Sequence, residues 1–445
     1  MVEKGLLDQA KTLKPRKIED SLRKALFKKP ISVLLGSRQA GKTSLMLRLL
    51  LFLLEDKAVP PEQIVYFDLE YPQILAQIDE LYGDDFLTFL KAKGINAQRN
   101  IFVFIDEVHY LDNPSSFLKI LHDHYPNLKL VVSGSSSMQI RKKFKETLTG
   151  RKRIFDIHPL DFEEFLAFKE TLLHKKKQAI NLNRILAEEL DPDILSEFRF
   201  LSHDFEKLFE EFMTFGGYPE VALLSSVEDK IAHLAEIYTS YVRKDIKDFA
   251  RIENVPAFNR LVELLGHQIG NLINFSELSN SLNISRPTVE NYLFLLQNTF
   301  VISLLSPYYT NRRQEIIKSS KVFFYDTGLR NSLSRNFDPV DRRIDKGALF
   351  ENAVWCELQK HIQILHELHF WRTKSKAEVD FVILGKDTLP VEARYRSFKR
   401  LKIPSGLRSF IKRYRPKTAC VITKDIFSQT VLNNTRILFV PAWAM

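Results

Sequence analysis

The sequence predicts an α/β chain with a parallel-sheet domain first, a helical middle, and a second α/β domain at the end. Three observations carry that reading. Apolar runs alternate with helical patterns from Ile31 to about Phe155. A glycine-rich loop of the form G-x-x-x-x-G-K-[ST] joins the first of those runs to the helix behind it. After a mainly helical stretch, strand-like runs return from about Lys321. The 445 residues exceed one ordinary core, so two or three domains are expected. Shifts in pattern place segments at 1–158, 159–250, 251–310 and 311–445.

In the first segment, Ile31–Leu35, Ile64–Leu69, Ile101–Ile105 and Leu128–Ser133 read as buried strands. Continuous apolar runs separated by helices indicate a parallel sheet covered on both faces. Apolar residues make up 45% of the chain and charged residues 27%, which suits a globular protein and argues against wholesale disorder. Cys356 and Cys420 are the only cysteines, so a disulfide framework is excluded and a reducing cytoplasm is expected. Neither has a partner at ligand spacing, so no zinc site is expected. The start of the chain has no apolar leader. The longest apolar run, Leu45–Leu54, is broken by Arg48 and is too short for a bilayer, so no membrane partner is expected.

The loop is Gly36-Ser37-Arg38-Gln39-Ala40-Gly41-Lys42-Thr43, with Ser44 opening the helix. It sits between a strand and a helix, where such a loop cradles phosphates. Its glycines let backbone N–H groups close around the anion, and the helix start adds partial positive charge. Lys42 is placed to reach the β- and γ-phosphates of ATP, and the Thr43 hydroxyl suits Mg²⁺. A matching acidic strand follows. Asn100-Ile-Phe-Val-Phe-Ile ends in Asp106 and Glu107. Asp106 is read as the second Mg²⁺ ligand and Glu107 as the base that activates water. That adjacent glutamate favours hydrolysis over phosphoryl transfer to a small acceptor. Ser133 or Ser135, ending the next strand, would orient the attacking water; a serine-rich turn is the alternative.

The segments GSRQAGKTSL, VYFDLE (65–70), FIDEVHYL (104–111), VVSGSSS (131–137), GRKRIFDIHPLDFEEFL (150–166) and FGGYPEV (215–221) occur in this order. Together they resemble a family of bacterial and archaeal AAA+ ATPases that carry a C-terminal nuclease-like domain of unknown function. The resemblance implies an AAA+ core over 1–158, a helical lid or linker over 159–250, a winged helix over 251–310 and a PD-(D/E)XK-like domain over 311–445. It also implies a homo-oligomer in which an arginine from a neighbouring subunit completes the site. Arg151 is the first candidate and Arg153 the second; a basic loop facing DNA or solvent is the other reading. FGGYPEV itself reads best as a structural turn between helices.

Residues 274–297 have helix-turn-helix spacing. Asn274 caps the first helix, Asn283 takes the left-handed turn, and Ser285 caps the second helix with Pro287 in its first turn. A hairpin over Phe300–Leu305 and Pro307–Tyr309 would follow. Arg286, Thr288, Glu290 and Asn291 would lie exposed, where a DNA reader meets the major groove. Glu290 is unfavourable there.

Glu351, Asp380 and Glu392 form a third constellation, a possible second Mg²⁺ site, with Glu351 on a helix and the other two on strands. The lysine expected of a PD-(D/E)XK site is Arg394 here. An arginine cannot act as a general base, so a fold used for binding without cleavage remains open. Residues 306–445 carry a net charge of +13 against −3 for the rest, which favours a polyanionic partner. Residues 394–417 hold ten Lys or Arg and no acid, interleaved with Tyr395, Phe398, Phe410 and Tyr414. The charge suits DNA; the aromatics suit a core. The expected function is ATP hydrolysis coupled to nucleic-acid binding or processing. The alternative is a slow nucleotide-dependent switch that recruits a protein partner.

Overall fold

The computed structural model describes residues 4–96, 98–135, 148–187, 197–243, 246, 252, 254–308, 319–361, 366–397 and 401–445. They form two compact units. The first comprises Met1–His158, Tyr241–Arg251 and Asn298–Phe300; the second comprises Pro159–Ser240, Ile252–Gln297 and Val301–Met445.

The first unit is built on a sheet of β1 (Ile31–Gly36), β2 (Ile64–Asp68), β3 (Ile101–Asp106), β4 (Leu128–Ser135) and β5 (Lys152–Ile157), in the order β2-β3-β4-β1-β5. Every pairing is parallel. Strands β1 and β3 are buried along their whole length, which is why they read as unbroken apolar runs. The sequence pattern missed β5. It lies at the sheet edge, and only Phe155 and Ile157 of its six residues are buried. Helix α1 (Lys42–Leu51) follows the glycine loop and buries Leu45, Met46, Leu49 and Leu50 in a core shared with Leu34, Phe104 and Val131. This packing fixes the helix start at the C-terminal rim of β1.

The second unit holds a mixed sheet of β8 (Glu367–Arg372), β9 (Glu378–Leu384), β10 (Thr388–Arg394), β11 (Thr418–Thr423), β12 (Ser428–Leu432) and β13 (Thr435–Pro441), ordered β12-β13-β11-β10-β9-β8. Its strands alternate in side-chain direction. One face sends Phe381, Val391, Ala393, Cys420 and Ile422 into a core with Trp355 and Phe350 of the helix Lys346–His361. The other sends Val382, Val421 and Phe439 against Leu407, Phe410 and Ile411 of the helix Ser405–Tyr414. Phe410 and Tyr414 are therefore core residues, packed on Trp371 at 5.3 and 6.1 Å between ring centroids. Phe398–Arg400 of the basic stretch, and Tyr309, lie outside the described residues.

The helix-turn-helix spacing takes the expected form. The Asn274 side chain accepts from the backbone N–H groups of Ser276 and Glu277, Asn283 has φ 53°, and the helix Arg286–Asn298 buries Val289, Tyr292 and Leu293. The hairpin differs from expectation. Strand β6 (Ile302–Leu305) pairs antiparallel with β7 (Lys321–Phe324), and Pro307 instead bridges to Phe370. A strand partner more distant in the chain completes the pair.

FGGYPEV is a structural turn. Gly216 has φ +76°, and a Cβ there would stand 2.1 Å from a carboxyl oxygen of Asp326. Asp326 accepts from the Gly217 N–H at 2.7 Å and caps the following helix by accepting from the Leu329 N–H at 2.8 Å. Asn331 on that helix donates to the Met213 and Thr214 carbonyls. Gly216→Ala combines a left-handed backbone with a clash on a buried carboxylate. It is expected to destabilise the chain by about 2–4 kcal/mol, read as a fall in the midpoint of chemical denaturation at unchanged slope.

Candidate active site

The glycine loop leaves β1 at Gly36 and enters α1 at Lys42. Gly36 faces the backbone of β5 so closely that a Cβ would lie 2.2 Å from the Ile157 carbonyl oxygen. Arg16 braces the loop from behind, donating to the carbonyls of Ala40 at 3.1 Å and His158 at 3.0 Å. Lys42 is only 5% exposed, and its ammonium donates to the carbonyls of Gly36 at 3.2 Å and Ser37 at 3.1 Å. It thus lies folded back across the loop.

Asp106 ends β3, and β4 separates that strand from β1. The acid still reaches the loop: Thr43 Oγ1 donates to Asp106 Oδ2 at 2.7 Å. The Tyr66 hydroxyl donates to the same oxygen at 3.0 Å, and the Ser133 hydroxyl donates to Oδ1. Burial and the neighbouring charge of Glu107 push the Asp106 carboxyl up, against those three hydrogen bonds. The residues fit a small hard cation. Thr43 and Asp106 offer oxygens 2.7 Å apart, and the acid is held by three hydroxyl groups able to turn.

Glu107 stands in a left-handed conformation, φ 53° and ψ 47°, which is uncommon for a residue with a side chain. Its N–H is held by Ser133 Oγ at 3.0 Å. Burial alone would raise its carboxyl, yet Lys42, His109 and Arg38 outweigh burial and hold it well below the usual range. His109 Nδ1 lies 3.0 Å from Glu107 Oε2. Glu107 is therefore held as a carboxylate, and the cations that keep it ionised also weaken it as a base.

Ser133 is fully buried and spends its hydroxyl on Asp106 and the Glu107 backbone. These hydrogen bonds brace the acidic pair. Arg151 sits apart from its own loop. Its carbonyl accepts from the Ile31 N–H, at the start of β1, about five residues or ~17 Å of strand from Gly36. There its guanidinium pairs with Asp123 at 2.7 Å. Arg153 lies over the Phe155 ring. Sequence reasoning did not single out Arg16, Tyr66 or His109.

In the second unit Glu351, Asp380 and Glu392 do approach one another, but with two cations between them. Lys321 Nζ lies 2.9 Å from Glu351 Oε1 and 2.5 Å from Glu378 Oε1. Arg394 Nη1 donates to Asp380 Oδ2 at 3.0 Å, and Nη2 lies 2.7 Å from Glu392 Oε2. Burial and Asp380 push Glu351 up to about 7, against Lys321, and push Glu392 well up, against Arg394. Burial would lower the Lys321 ammonium, but Glu351, Asp380 and Glu378 raise it above its ordinary value. Among the described residues no group of three His, Cys, Asp or Glu is placed to hold a metal ion. The metal set expected from sequence is corrected accordingly: an ammonium or a guanidinium lies against one oxygen each of Glu351, Asp380 and Glu392. Nothing in the sequence flagged Lys321 as a partner of these acids; it opens the short, otherwise apolar strand β7.

Residues 28–166 match a family model described as an AAA domain. Residues 206–340 and 346–443 match two domains of unknown function, DUF8612 and DUF4143. An uncharacterized protein of Methanocaldococcus jannaschii is 26% identical over 405 residues, covering 89% of this chain and 81% of that protein. One of Haemophilus influenzae is 24% identical over 422 residues, covering 93% and 94%. Among solved structures, a Walker-type ATPase of Pyrococcus abyssi aligns over 73% of this chain and 96% of that one, at 16% identity and a TM-score of 0.45. The match over 28–166 and the loop geometry agree on a P-loop domain of AAA type. No helix among the described residues is long and apolar enough to cross a membrane.

Proposed function

We propose that the chain is a Mg²⁺-dependent ATPase, with ATP bound by Gly36–Ser44 and hydrolysed with Glu107 as base. The observation that carries this reading is the meeting of loop and acidic strand: Thr43 on Asp106 at 2.7 Å, with Lys42 and the ionised Glu107 beside them. Thr43 and Asp106 would hold Mg²⁺, which supplies charge neutralisation on the β- and γ-phosphates. The loop's N–H groups and the α1 start bind the triphosphate. Lys42 turns from the Gly36 and Ser37 carbonyls toward the γ-phosphate. Glu107 takes a proton from the attacking water, and Ser133 keeps Glu107 and Asp106 in register. The test is phosphate release from ATP with and without Mg²⁺; release in neither condition sinks the reading.

Arg151 completes the site from a neighbouring copy, since its place at the far end of β1 keeps it from its own loop. Arg151→Ala is expected to lower turnover by about 10²-fold or more, with ATP affinity held within about threefold. Turnover per subunit should rise with protein concentration. Unchanged turnover would return Arg151 to plain pairing with Asp123.

ATP turnover is coupled to nucleic acid, which meets the winged-helix-like segment 274–297 and the basic stretch 394–417. The +13 excess of residues 306–445 supports this. Base reading by the second helix is not favoured, because Arg286 is paired with Glu290 at 2.9 Å. Duplex DNA should therefore bind with a steep salt dependence and little sequence preference, and should stimulate ATPase. DNA binding that ignores salt would count against it. Two buried free cysteines suit the cytoplasm.

A further inference from the structure

We infer that Lys321 is a built-in counter-ion standing where a divalent cation would otherwise sit among the carboxylates of the C-terminal sheet, so that this cluster takes no metal. The inference is independent of the ATPase reading and would survive its failure.

Four acids converge: Glu351 from the helix Lys346–His361, Glu378 and Asp380 from β9, and Glu392 from β10. Glu392 is fully buried and Asp380 5% exposed. So many carboxylates in one buried place demand positive charge. The chain supplies it from within. The Lys321 side chain is 2% exposed, and its ammonium bridges Glu351 and Glu378, two elements with no other ion pair between them among the described residues. The Phe370 ring lies 5.6 Å from the ammonium and closes another side. Arg394 bridges Asp380 and Glu392 in the same manner.

The cation contacts argue against a metal: one oxygen each of Glu351, Glu378, Asp380 and Glu392 already lies against Lys321 or Arg394. Mg²⁺ draws its oxygens to about 2.0–2.1 Å in a near-octahedral set. An ammonium holds carboxylates at hydrogen-bond length, as here, and so spaces them farther apart. Lys321 is also anchored by its backbone: β7 pairs with β6, and Lys321 itself bridges to Leu272. The cation is thus delivered by the fold and cannot diffuse away.

The experiment is Mn²⁺ binding to nucleotide-free protein, counted by electron paramagnetic resonance, alongside thermal unfolding with and without Mn²⁺. Wild type and Asp380→Asn should bind the same number of ions. Lys321→Ala should melt lower than wild type, bind one ion more, and recover melting temperature with Mn²⁺; adding Asp380→Asn should remove both gains. Two results would overturn the inference: wild-type binding that Asp380→Asn abolishes, or a folded Lys321→Ala protein that gains no ion. Should Lys321→Ala fail to fold, the wild-type and Asp380→Asn comparison alone still decides.

Discussion

Glu107→Gln is expected to retain ATP and stop splitting it. The side chain keeps its shape, and glutamine tolerates φ 53° as glutamate does, so the turn beyond β3 should persist. What is lost is the ability to accept a proton. General-base contributions of this kind amount to about 10²–10⁴ in rate, or about 3–5 kcal/mol of barrier. Turnover should fall by that factor while the Kd for ATP stays within about threefold of wild type. Loss of a negative charge beside Lys42 acts, if anything, to tighten binding. Single-turnover phosphate release and equilibrium titration with a fluorescent ATP analogue separate the two quantities. Normal turnover in this variant would remove Glu107 from the chemistry.

Lys42→Ala should show the opposite pattern, failing at the binding step. The ammonium is buried in the loop, where its charge is little screened by salt. A charge-assisted contact to phosphate of this type is worth about 3–4 kcal/mol, so the Kd should rise by about 10²–10³-fold. Phosphate release should fall below detection at micromolar ATP. The same substitution frees the carbonyls of Gly36 and Ser37, which water can then reach, so the melting temperature should change little. Wild-type affinity with Lys42 removed would mean that the loop does not hold the phosphates.

The sequence displayed those parts of the fold whose signal is local. The loop, the end of β3 and the caps at Asn274 and Asn283 each depend on a few adjacent residues, and each stands where its residue types require. What stayed hidden depends on contacts across the chain. Tyr66 meets Asp106 from another strand, and Arg16 reaches the loop from a segment before β1. Half-exposed β5 lacks the apolar run that betrays a strand. The C-terminal acids were visible as residue types, and their placement on a helix and two strands suggested the grouping. The cation among them was not visible, because Lys321 belongs to a strand that pairs with β6. Reading Arg394 as a substitute for a missing lysine follows naturally as long as the partner of that strand is not known.

The near-contact between Gly36 and Ile157 has a practical corollary for dissecting this chain genetically. Any side chain at position 36 would force the edge strand outward and uncover Phe155 and Ile157. A variant there that no longer holds nucleotide would be reporting a broken sheet, whatever its phosphates do. Residue 36 is a spacer before it is a ligand. Separation of affinity from architecture is better sought at positions such as 42, whose side chain meets the end of β1 only through hydrogen bonds to the Gly36 and Ser37 carbonyls.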